Sequence, residues 1–279
     1  MLEGLIANAV LLAAAMLALW LVAIRIKDVS FIDAVWGGGM AALAAASWFQ
    51  LHAPGARATL ILALTVLWGG RLALHLFVRW RGHGEDARYA KMLGKAKERG
   101  RFAGAALAYV FAPQTLLLFL TCLPAQIGIL AGESPAPIGM LALAGVVLWS
   151  VGVFFEWLGD WQLARFRADP ANEDKVMDRG LWRYTRHPNY FGDACAWWGI
   201  WLVAAEAGGE VAAVSAIGPV FLTFTLTRWS GKPLLEKGLA RRRPGYAEYV
   251  ARTSGFVPLP PRRSATSPSA RASSVSSPD

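Results

Sequence analysis

Long apolar runs alternate with short charged segments along the chain. Seven runs carry few or no charged residues, and their lengths are close to the roughly 20 residues that a helix needs to cross a bilayer. The runs are Leu5–Ile24, Phe31–Leu51, Ala58–Val78, Phe102–Leu130, Ile138–Leu158, Tyr190–Ala205 and Val211–Trp229. This pattern predicts an all-α, polytopic membrane protein with seven transmembrane helices.

Prolines refine the prediction for two of these runs. The fourth run is long and contains Pro113 and Pro124, so we expect a tilted or kinked helix. The sixth is short, and Pro188 suits the first position of its helix because proline has no N–H to leave unbonded. The first run lacks a basic leading segment and an A-x-A cleavage site, so we expect a retained helix and no signal peptide.

The basic residues are unevenly distributed between the segments that join the runs. Of the 28 Lys and Arg residues, 26 lie in alternate segments or in the C-terminal part, whereas Arg57 lies on the other side and Arg71 inside the third run. The positive-inside rule therefore predicts an N-terminus outside and a C-terminus in the cytoplasm. A nucleic-acid-binding protein would also explain the net charge of +9 but not this alternation, so we expect no nucleic-acid partner.

Composition agrees with a membrane protein. Hydrophobic residues make up 55% of the chain and charged residues only 17%, against about 25% charged in ordinary globular domains. We expect residues 1–263 to form a single domain and residues 264–279, rich in Ser and Pro, to be a disordered tail. Cys122 and Cys195 match no metal-binding spacing, so no metal site is expected.

Ionisable side chains inside the apolar runs are costly and are therefore candidates for function. Asp33 lies one turn into the second run. Because Ser30 and Asp33 have the spacing of a capping box, Asp33 is predicted to cap the helix, to act as a catalytic acid, or both. Arg71 and His75 are four residues apart in the third run, so they share a helix face and are expected to face a polar cavity or polar partners.

The end of the fifth run carries two carboxylates. Glu156 and Asp160 are four residues apart, and Arg165 and Arg167 follow them. Two carboxylates on one face repel each other unless a donor lies near them. The donor is predicted to be one of these arginines or a hydroxyl or amide group of a bound nucleotide. A solvated helix end with salt bridges is the alternative.

Residues 180–193, GLWRYTRHPNYFGD, form the most informative stretch. A helix that begins at Pro188 has free N–H groups at its start, and together with the helix dipole they favour an anion. The guanidinium groups of Arg183 and Arg186 suit a phosphate. The alternative is a basic loop that contacts lipid headgroups, but such a loop would not need Asp193 just inside the helix.

The last charged segment contains three charged residues at helical spacing. Arg228, Lys232 and Glu236 are four residues apart and would share one helix face only if the helix continues through Gly231 and Pro233. The chain has no Gly-x-Gly-x-x-Gly sequence. Any dinucleotide would therefore be bound by membrane helices and not by a Rossmann unit.

The sequence RHPNYFGD (186–193), followed by Glu236 and PGYAEY (244–249), resembles the C-terminal half of the steroid 5α-reductase superfamily. The closest resemblance is to its bacterial branch of short reductase-like proteins, which also has motifs similar to DAVWG (33–37) and GEDARY (84–89). The resemblance implies seven helices in a bacterial plasma membrane and NADPH bound from the cytoplasmic side. It also implies reduction of the carbon–carbon double bond of an enone such as a Δ4-3-ketosteroid. The substrate would be apolar and enter from the bilayer; lipids are the other expected partners, and no obligate protein partner is expected.

The resemblance further implies a cofactor site. Asp160, Arg167, Asn189, Asp193 and Arg228 fall where the family binds its nucleotide, whereas Lys232 and Glu236 fall where it uses other polar types. Glu156 replaces a family Asn, and Asp193 replaces the commoner Glu. The residues expected to bind NADPH are Arg71, Glu156, Asp160, Arg165, Arg167, Lys175, Arg183, Arg186, His187, Asn189, Tyr190, Asp193, Arg228, Lys232, Glu236, Tyr246 and Tyr249.

The family activates the substrate carbonyl with a Glu and a Tyr. Asp33 is the candidate for the Glu, and Trp68 falls near the Tyr but has no phenol to take its place. A buried donor would stabilise the charge that grows on the carbonyl oxygen as hydride adds to the β-carbon. A carboxyl group can donate there only when it is protonated. Asp33 and His75 are the expected catalytic residues.

A methyltransferase is the alternative function. The pattern Arg-His-Pro-x-Tyr-x-Gly with a later Glu and paired Tyr also resembles membrane methyltransferases of the isoprenylcysteine and phospholipid type, which bind S-adenosylmethionine. NADPH carries three phosphate groups and S-adenosylmethionine has none, so the many cations between Arg165 and Arg186 favour the reductase. A lipid-binding scaffold, the third interpretation, leaves the buried ionisable residues unexplained.

Overall fold

The computed structural model describes residues 1–132, 137–229 and 231–262. Within these residues the chain is all-helical, with 79% helix and no strand. The predicted tail, residues 264–279, lies outside the described residues. The all-α prediction is therefore confirmed.

Thirteen α-helices are present in the described residues. The first seven are α1 (Leu2–Ile26), α2 (Ile32–Phe49), α3 (Ala56–His83), α4 (Ala87–Glu98), α5 (Phe102–Ala106), α6 (Ala112–Thr121) and α7 (Leu123–Leu130). The others are α8 (Met140–Ala168), α9 (Pro188–Ala205), α10 (Gly209–Ser215), α11 (Ile217–Phe224), α12 (Lys232–Arg242) and α13 (Tyr246–Arg252). π-Helical turns follow α5 (Leu107–Phe111) and α11 (Thr225–Trp229), and two 3₁₀ turns lie between α8 and α9 (Pro170–Asn172 and Gly180–Arg183).

In the part of the chain that the structure describes, five helical segments are long and apolar enough to cross a membrane: Leu2–Ile26, Ala56–Gly82, Phe102–Thr121, Met140–Ala168 and Gly209–Trp229. The chain is thus a multi-pass membrane protein. The second and sixth predicted runs are helical as well, as α2 and α9, each with 18 residues. The helix α9 begins at Pro188 as predicted.

The fourth predicted run is broken in two places. A π-helical turn at Leu107–Phe111 precedes Pro113, whose ring cannot fit a regular helix without removing a backbone hydrogen bond. The helix then ends at Cys122, and α7 begins with Pro124 at its second position. The prediction of a kink is confirmed, but the spanning segment ends at Thr121 and not at Leu130.

The chain divides into two compact units, Met1–Phe154 with Gly192–Leu226, and Phe155–Phe191 with residues from Thr227 onward. The hydrophobic core, which includes Ile61, Phe111, Leu118 and Trp197, lies in the first unit. The single domain expected for residues 1–263 stays a prediction.

Helices in the first unit approach each other through glycines. The helices α2 and α3 cross at Gly37 and Gly69, where a Cβ on either residue would collide with the carbonyl oxygen of the other. The helices α8 and α9 cross in the same way, since a Cβ at Gly145 would lie 2.6 Å from the Gly199 carbonyl oxygen. Small residues at crossings are typical of membrane helices, because apolar lipid supplies little driving force and close van der Waals packing must hold the helices together.

A buried polar network joins α1, α2 and α7. The Asn8 side-chain N–H₂ group donates to Ser47 Oγ at 2.7 Å and to Gln126 Oε1 at 3.0 Å. The amide of Gln50 in turn donates to Asn8 Oδ1 at 2.9 Å. Asn8, Ser47 and Gln126 are at most 1% exposed, so each side chain depends on these partners and not on water.

The glycine crossing leads to a stability prediction. Gly69→Ala should destabilise the protein by about 1–3 kcal/mol, because an added methyl group forces two packed backbones apart. Gly70→Ala is the matched control, since a Cβ there meets no atom within 4 Å. Thermal unfolding in detergent, followed by tryptophan fluorescence, compares the two variants. Equal stability of both variants would show that the crossing is not closely packed.

Candidate functional site

Two sequence motifs form a hydrogen-bonded cluster in the first unit. DAVWG (33–37) opens α2, and GEDARY (84–89) joins α3 to α4. The Tyr89 hydroxyl donates to Asp33 Oδ1 at 2.7 Å, and Arg88 Nη2 donates to Asp33 Oδ2 at 2.6 Å. Residues from both motifs are therefore brought to one carboxylate, although the helix α3 separates them along the chain.

Hydrogen bonds in this cluster run in one direction. The indole N–H of Trp36 can only donate, and it donates to Gln114 Oε1 at 2.7 Å. The NH₂ group of Gln114 must then face the other way, and it donates to the Tyr89 hydroxyl oxygen at 3.2 Å. Because Tyr89 has a single proton, that proton is directed to Asp33. Trp36, Gln114 and Tyr89 thus donate in turn, and the Asp33 carboxylate is the final acceptor.

The capping-box interpretation of Asp33 is wrong. The Ser30 hydroxyl accepts the N–H of Asp86 at 2.7 Å, and α2 begins at Ile32 with no side-chain cap. Asp33 instead accepts from Tyr89 and Arg88, with the Arg79 guanidinium at 3.8 Å. In this arrangement the Asp33 carboxylate accepts from two donors, and one of them is the Tyr89 hydroxyl. The catalytic role of Asp33 stays a prediction.

The surroundings of this cluster are ordered by a second carboxylate. Asp28 accepts the Ser30 backbone N–H at 2.7 Å and the Trp80 indole N–H at 2.8 Å. Burial tends to raise the pKa of Asp28, but the hydrogen bonds from Trp80 and Ser30 outweigh it and lower that pKa. Burial raises the pKa of Tyr89, and the adjacent Asp33 carboxylate raises it further. Tyr89 thus remains a neutral phenol at physiological pH.

One face of α3 carries the polar residues predicted in the third run. Arg71 and His75 are half-buried there, and Arg79 continues the four-residue spacing and approaches Asp33. The face thus leads toward the Asp33 cluster. The catalytic role of His75 and the cofactor role of Arg71 stay predictions.

The second unit contains a buried ion pair between Arg186 and Glu236. Arg186 Nε donates to Glu236 Oε1 at 2.8 Å, and its Nη2 donates to Oε2 at 3.4 Å. Its Nη1 donates to the backbone carbonyl oxygens of Thr253 at 2.5 Å and Val250 at 3.1 Å. The Arg186 guanidinium is only 8% exposed and bonds within the protein, so in this structure it joins α12 and α13 to the segment before α9. Its contact with a phosphate stays a prediction.

His187 shares the same carboxylate. Its Nε2 lies 3.0 Å from Glu236 Oε1, and its ring stacks on Tyr190 with 5.2 Å between centroids. Burial raises the pKa of Glu236, but hydrogen bonds from His187 and Arg186 outweigh this effect and lower it to about 2. Burial lowers the pKa of His187. A neutral imidazole beside a carboxylate donates through Nε2, which leaves Nδ1 as the acceptor nitrogen.

Two buried tyrosines fix the C-terminal helix α13. The Tyr249 hydroxyl donates to the Trp182 carbonyl oxygen at 2.5 Å, and Tyr246 packs against Tyr249. Burial raises the pKa of Tyr246 to about 12, and it raises the pKa of Tyr249 as well. Both tyrosines, expected to bind cofactor, are buried and hold the scaffold of the second unit.

The predicted anion site at the start of α9 is largely closed. The Tyr190 N–H is bonded to Asn189 Oδ1 at 3.1 Å and the Phe191 N–H to the His187 carbonyl oxygen at 3.0 Å. Pro188 packs against Gly159 of α8, where a Cβ would lie 3.1 Å from the proline ring. The close approach of the two helices leaves little room for a phosphate at this helix end.

The carboxylates of α8 have different environments. Glu156 is 1% exposed, whereas Asp160 is half-buried and accepts from Asn189 Nδ2 at 3.2 Å. The amide of Asn189 is thus one donor to Asp160. The arginine or nucleotide donor expected from the sequence stays a prediction. Asp193, on the part of α9 that belongs to the first unit, is half-buried.

The second unit also carries exposed cations. Those predicted from sequence are Arg165, Arg167, Lys175, Arg183 and Arg228. The π-helical turn that carries Arg228 ends at Trp229, and a separate helix, α12, begins at Lys232, so the three residues spaced by four do not share one helix. The Lys232 ammonium instead packs on Gly255 beside Arg186.

Sequence reasoning missed Trp36, Arg88, Tyr89 and Gln114. Trp36, Arg88 and Tyr89 lie within the two motifs matched to the same bacterial branch, and this shared match was the signal that they act together. Gln114 is a polar side chain within the fourth apolar run. Because burying a polar group in a membrane segment costs free energy, its position was a signal that it has a polar partner or a function.

Together the fold and this polar cluster define a multi-pass helical membrane protein. In its first unit, Asp33 at the start of α2 is hydrogen-bonded to Tyr89 at the start of α4. The chain belongs to the family described as "Protein of unknown function (DUF1295)", whose model matches residues 19–253. This family is associated with the steroid 5-alpha-reductase-like superfamily. Comparisons with curated proteins and with solved structures gave no match.

The Arg186–Glu236 pair leads to a prediction of pH dependence. Glu236→Gln should destabilise the protein at pH 7 by about 3 kcal/mol, because it leaves the Arg186 charge buried without its partner. A carboxylate with a lowered pKa stabilises fully above its unfolded value near 4.5 and loses this effect as the pH falls toward 2. The difference in unfolding temperature between wild type and variant should therefore become smaller as the pH is lowered from 5 to 2.5.

The control is Glu248→Gln, which removes an exposed carboxylate from α13. It should change the free energy of unfolding by less than about 0.5 kcal/mol at either pH. A Glu236→Gln variant as stable as the control at pH 7 would contradict the role of the ion pair.

Proposed function

We propose that the protein is an NADPH-dependent reductase of the carbon–carbon double bond of an enone in an apolar substrate, such as a Δ4-3-ketosteroid. The observation that carries the proposal is the directed hydrogen-bond chain from Trp36 to the Tyr89–Asp33 pair. Association of the family with the steroid 5-alpha-reductase-like superfamily supports it.

A phenol held in this way can polarise a carbonyl group. Gln114 donates to the Tyr89 hydroxyl oxygen, so the phenolic proton of Tyr89 points away from Gln114. To donate to a substrate carbonyl, that proton must leave Asp33, which retains Arg88 at 2.6 Å. The hydrogen bond to the carbonyl oxygen becomes stronger as negative charge develops there, and this difference accelerates the reaction.

NADPH, when bound, would supply the hydride that adds to the β-carbon. Its proposed ligands lie in the second unit, where the donor set suits the group. Asp160 and Asn189 form a hydrogen-bonded acceptor and donor, and the exposed cations Arg167, Lys175 and Arg183 suit phosphate oxygens. A 2′-phosphate among these cations would favour NADPH over NADH.

We infer further that the protein spans the plasma membrane seven times, with its N-terminus outside and its C-terminus in the cytoplasm. The seven apolar helical regions and the placement of 26 of 28 basic residues support this topology.

The topology is tested by labelling a single introduced cysteine. Ser267→Cys should not react with a membrane-impermeant maleimide in intact cells and should react after lysis. Cys122 and Cys195 are buried, so the wild-type protein provides the background. Labelling in intact cells would contradict a cytoplasmic C-terminus.

A second function is supported by one observation. In this structure Arg186 is bonded to Glu236, and the first amides of α9 are engaged, so two predicted phosphate contacts are occupied. S-Adenosylmethionine needs no phosphate contacts. A membrane methyltransferase that uses this cofactor is therefore the second candidate.

Ligand-induced stabilisation separates the two candidates. NADPH should raise the unfolding temperature of the purified protein, because a ligand that binds only the folded state stabilises it, by about 2.7 kcal/mol at a hundred times its Kd. NADH should give a smaller shift and S-adenosylmethionine none. A shift with S-adenosylmethionine alone would overturn the reductase proposal.

The Tyr89 proposal is tested by removing one hydroxyl group. Tyr89→Phe should lower turnover of an enone substrate by about 100-fold or more, because one aligned donor to a developing oxyanion is worth about 10²–10³ in rate. NADPH binding should be nearly unchanged.

The matched control is Tyr109→Phe, since Tyr109 is 67% exposed. Its turnover should equal that of wild type. A fully active Tyr89→Phe protein would exclude the phenol as the activating donor, and His75 would be tested next.

A further inference from the structure

The cytoplasmic-side end of α8 has the composition of a membrane interface. Trp157 is 39% exposed and Trp161, one turn later, is 55% exposed. Arg165 and Arg167 follow in the last turn of a helix that is apolar enough to cross a membrane. Exposed tryptophans at the end of such a helix are typical of the level of the lipid headgroups.

An open cleft lies beside this helix end within the second unit. Its volume is about 380 Å³, and its lining includes Trp161, Arg165, Phe166, Met177 and Arg179. The lining thus contains aromatic and apolar side chains, and two guanidinium groups contribute positive charge. This volume lies near the lower end of the range of about 300–1,000 Å³ found for small-molecule sites.

Several other polar groups of the lining are bonded within the protein. Gln162 Oε1 accepts the Leu181 N–H at 3.0 Å, and Asp169 Oδ1 accepts the Ala171 N–H at 2.9 Å. Asn172 Nδ2 donates to the Phe166 carbonyl oxygen at 3.1 Å. Both oxygens of the Asp169 carboxylate are thus engaged, by the Ala171 N–H and by Asn172 Nδ2, although its negative charge remains in the lining. The donors that the cleft offers to a ligand are the exposed guanidinium groups of Arg165 and Arg179.

The orientation of Arg165 is also defined. Its guanidinium lies over the Trp161 ring, 5.5 Å from the centroid. This cation–π contact holds the group at the edge of the cleft. A planar guanidinium can then form two parallel hydrogen bonds with phosphate oxygens.

We propose that this cleft binds the phosphate group of an anionic phospholipid, with Arg165 and Arg179 as its ligands and Trp161 against the glycerol and upper acyl chain. A lipid fits better than a nucleotide, because Trp161 and Arg165 lie on an exposed face of α8. Asp160 and Asn189, proposed above to contact NADPH, are half-buried and bond to each other. The site depends on α8 entering the bilayer but not on the reductase activity.

Binding is measured on the full-length protein in detergent micelles by titrating phosphatidylglycerol against phosphatidylcholine, with native mass spectrometry as the readout. The wild type should retain phosphatidylglycerol at least tenfold more strongly than phosphatidylcholine. In the Arg165→Gln/Arg179→Gln variant this preference should fall to within about twofold.

Lys91→Gln/Lys95→Gln is the matched control. It removes the same charge from exposed positions of α4 in the first unit and should keep most of the preference. If both variants lost the preference for phosphatidylglycerol equally, the preference would depend on overall charge, and the proposed lipid site in the cleft would be wrong. Preserved preference in the arginine variant would also overturn it.

Two further additions identify the source of the phosphate. Inorganic phosphate and NADPH, each added at the lipid concentration, should leave the bound phosphatidylglycerol in place. Displacement by NADPH, with loss of NADPH binding in the arginine variant, would assign the cleft to the cofactor and overturn the lipid proposal. Failure of NADPH to bind the wild type would contradict only the reductase.

Discussion

Trp36 has one polar group, an indole N–H that can only donate, and this constraint sets the direction of the hydrogen bonds that run from Trp36 through Gln114 and Tyr89 to Asp33. Because Trp36 donates to Gln114 Oε1, the NH₂ group of Gln114 must point to the Tyr89 hydroxyl oxygen. The phenolic proton of Tyr89 is then directed to Asp33. In a protein surrounded by lipid, water is scarce as an alternative partner for such groups, so an ordered chain is more stable than a mixture of orientations. The cluster holds together the first turn of α2, the first turn of α4 and the helix α6.

Glycine contacts make this arrangement sterically accessible. Because Gly37 and Gly69 let the backbones of α2 and α3 touch, Asp33, one turn before Gly37, comes within 3.8 Å of Arg79 on α3. In the second unit a different interaction does the equivalent work. The Arg186–Glu236 pair, with backbone carbonyls of Val250 and Thr253, joins three segments that are distant in sequence. Each unit thus has a carboxylate on which several donors converge, and in each the carboxylate orders residues that sequence motifs had singled out.

Local features were predictable from the sequence, whereas partners were not. The helix start at Pro188 and the irregularity of the fourth run follow from proline geometry, which depends only on neighbouring residues. The family motifs were also recognisable. The partner of Asp33 was not, because Tyr89 is 56 residues away and is brought close only by the crossing of α2 and α3. Likewise, Arg186 was expected to meet a phosphate, since the sequence cannot show that Glu236, 50 residues later, meets its guanidinium first.

A double-mutant cycle between Asp33→Ala and Tyr89→Phe tests the central claim, which is that the two motifs act as one hydrogen-bonded unit. The free energy of unfolding is measured in detergent for wild type, both single variants and the double variant. If Tyr89 donates to Asp33, the two effects should be non-additive by about 1 kcal/mol or more, because each single change already removes the shared hydrogen bond. Effects that add to within about 0.3 kcal/mol would mean that the two side chains do not interact, and would contradict the account.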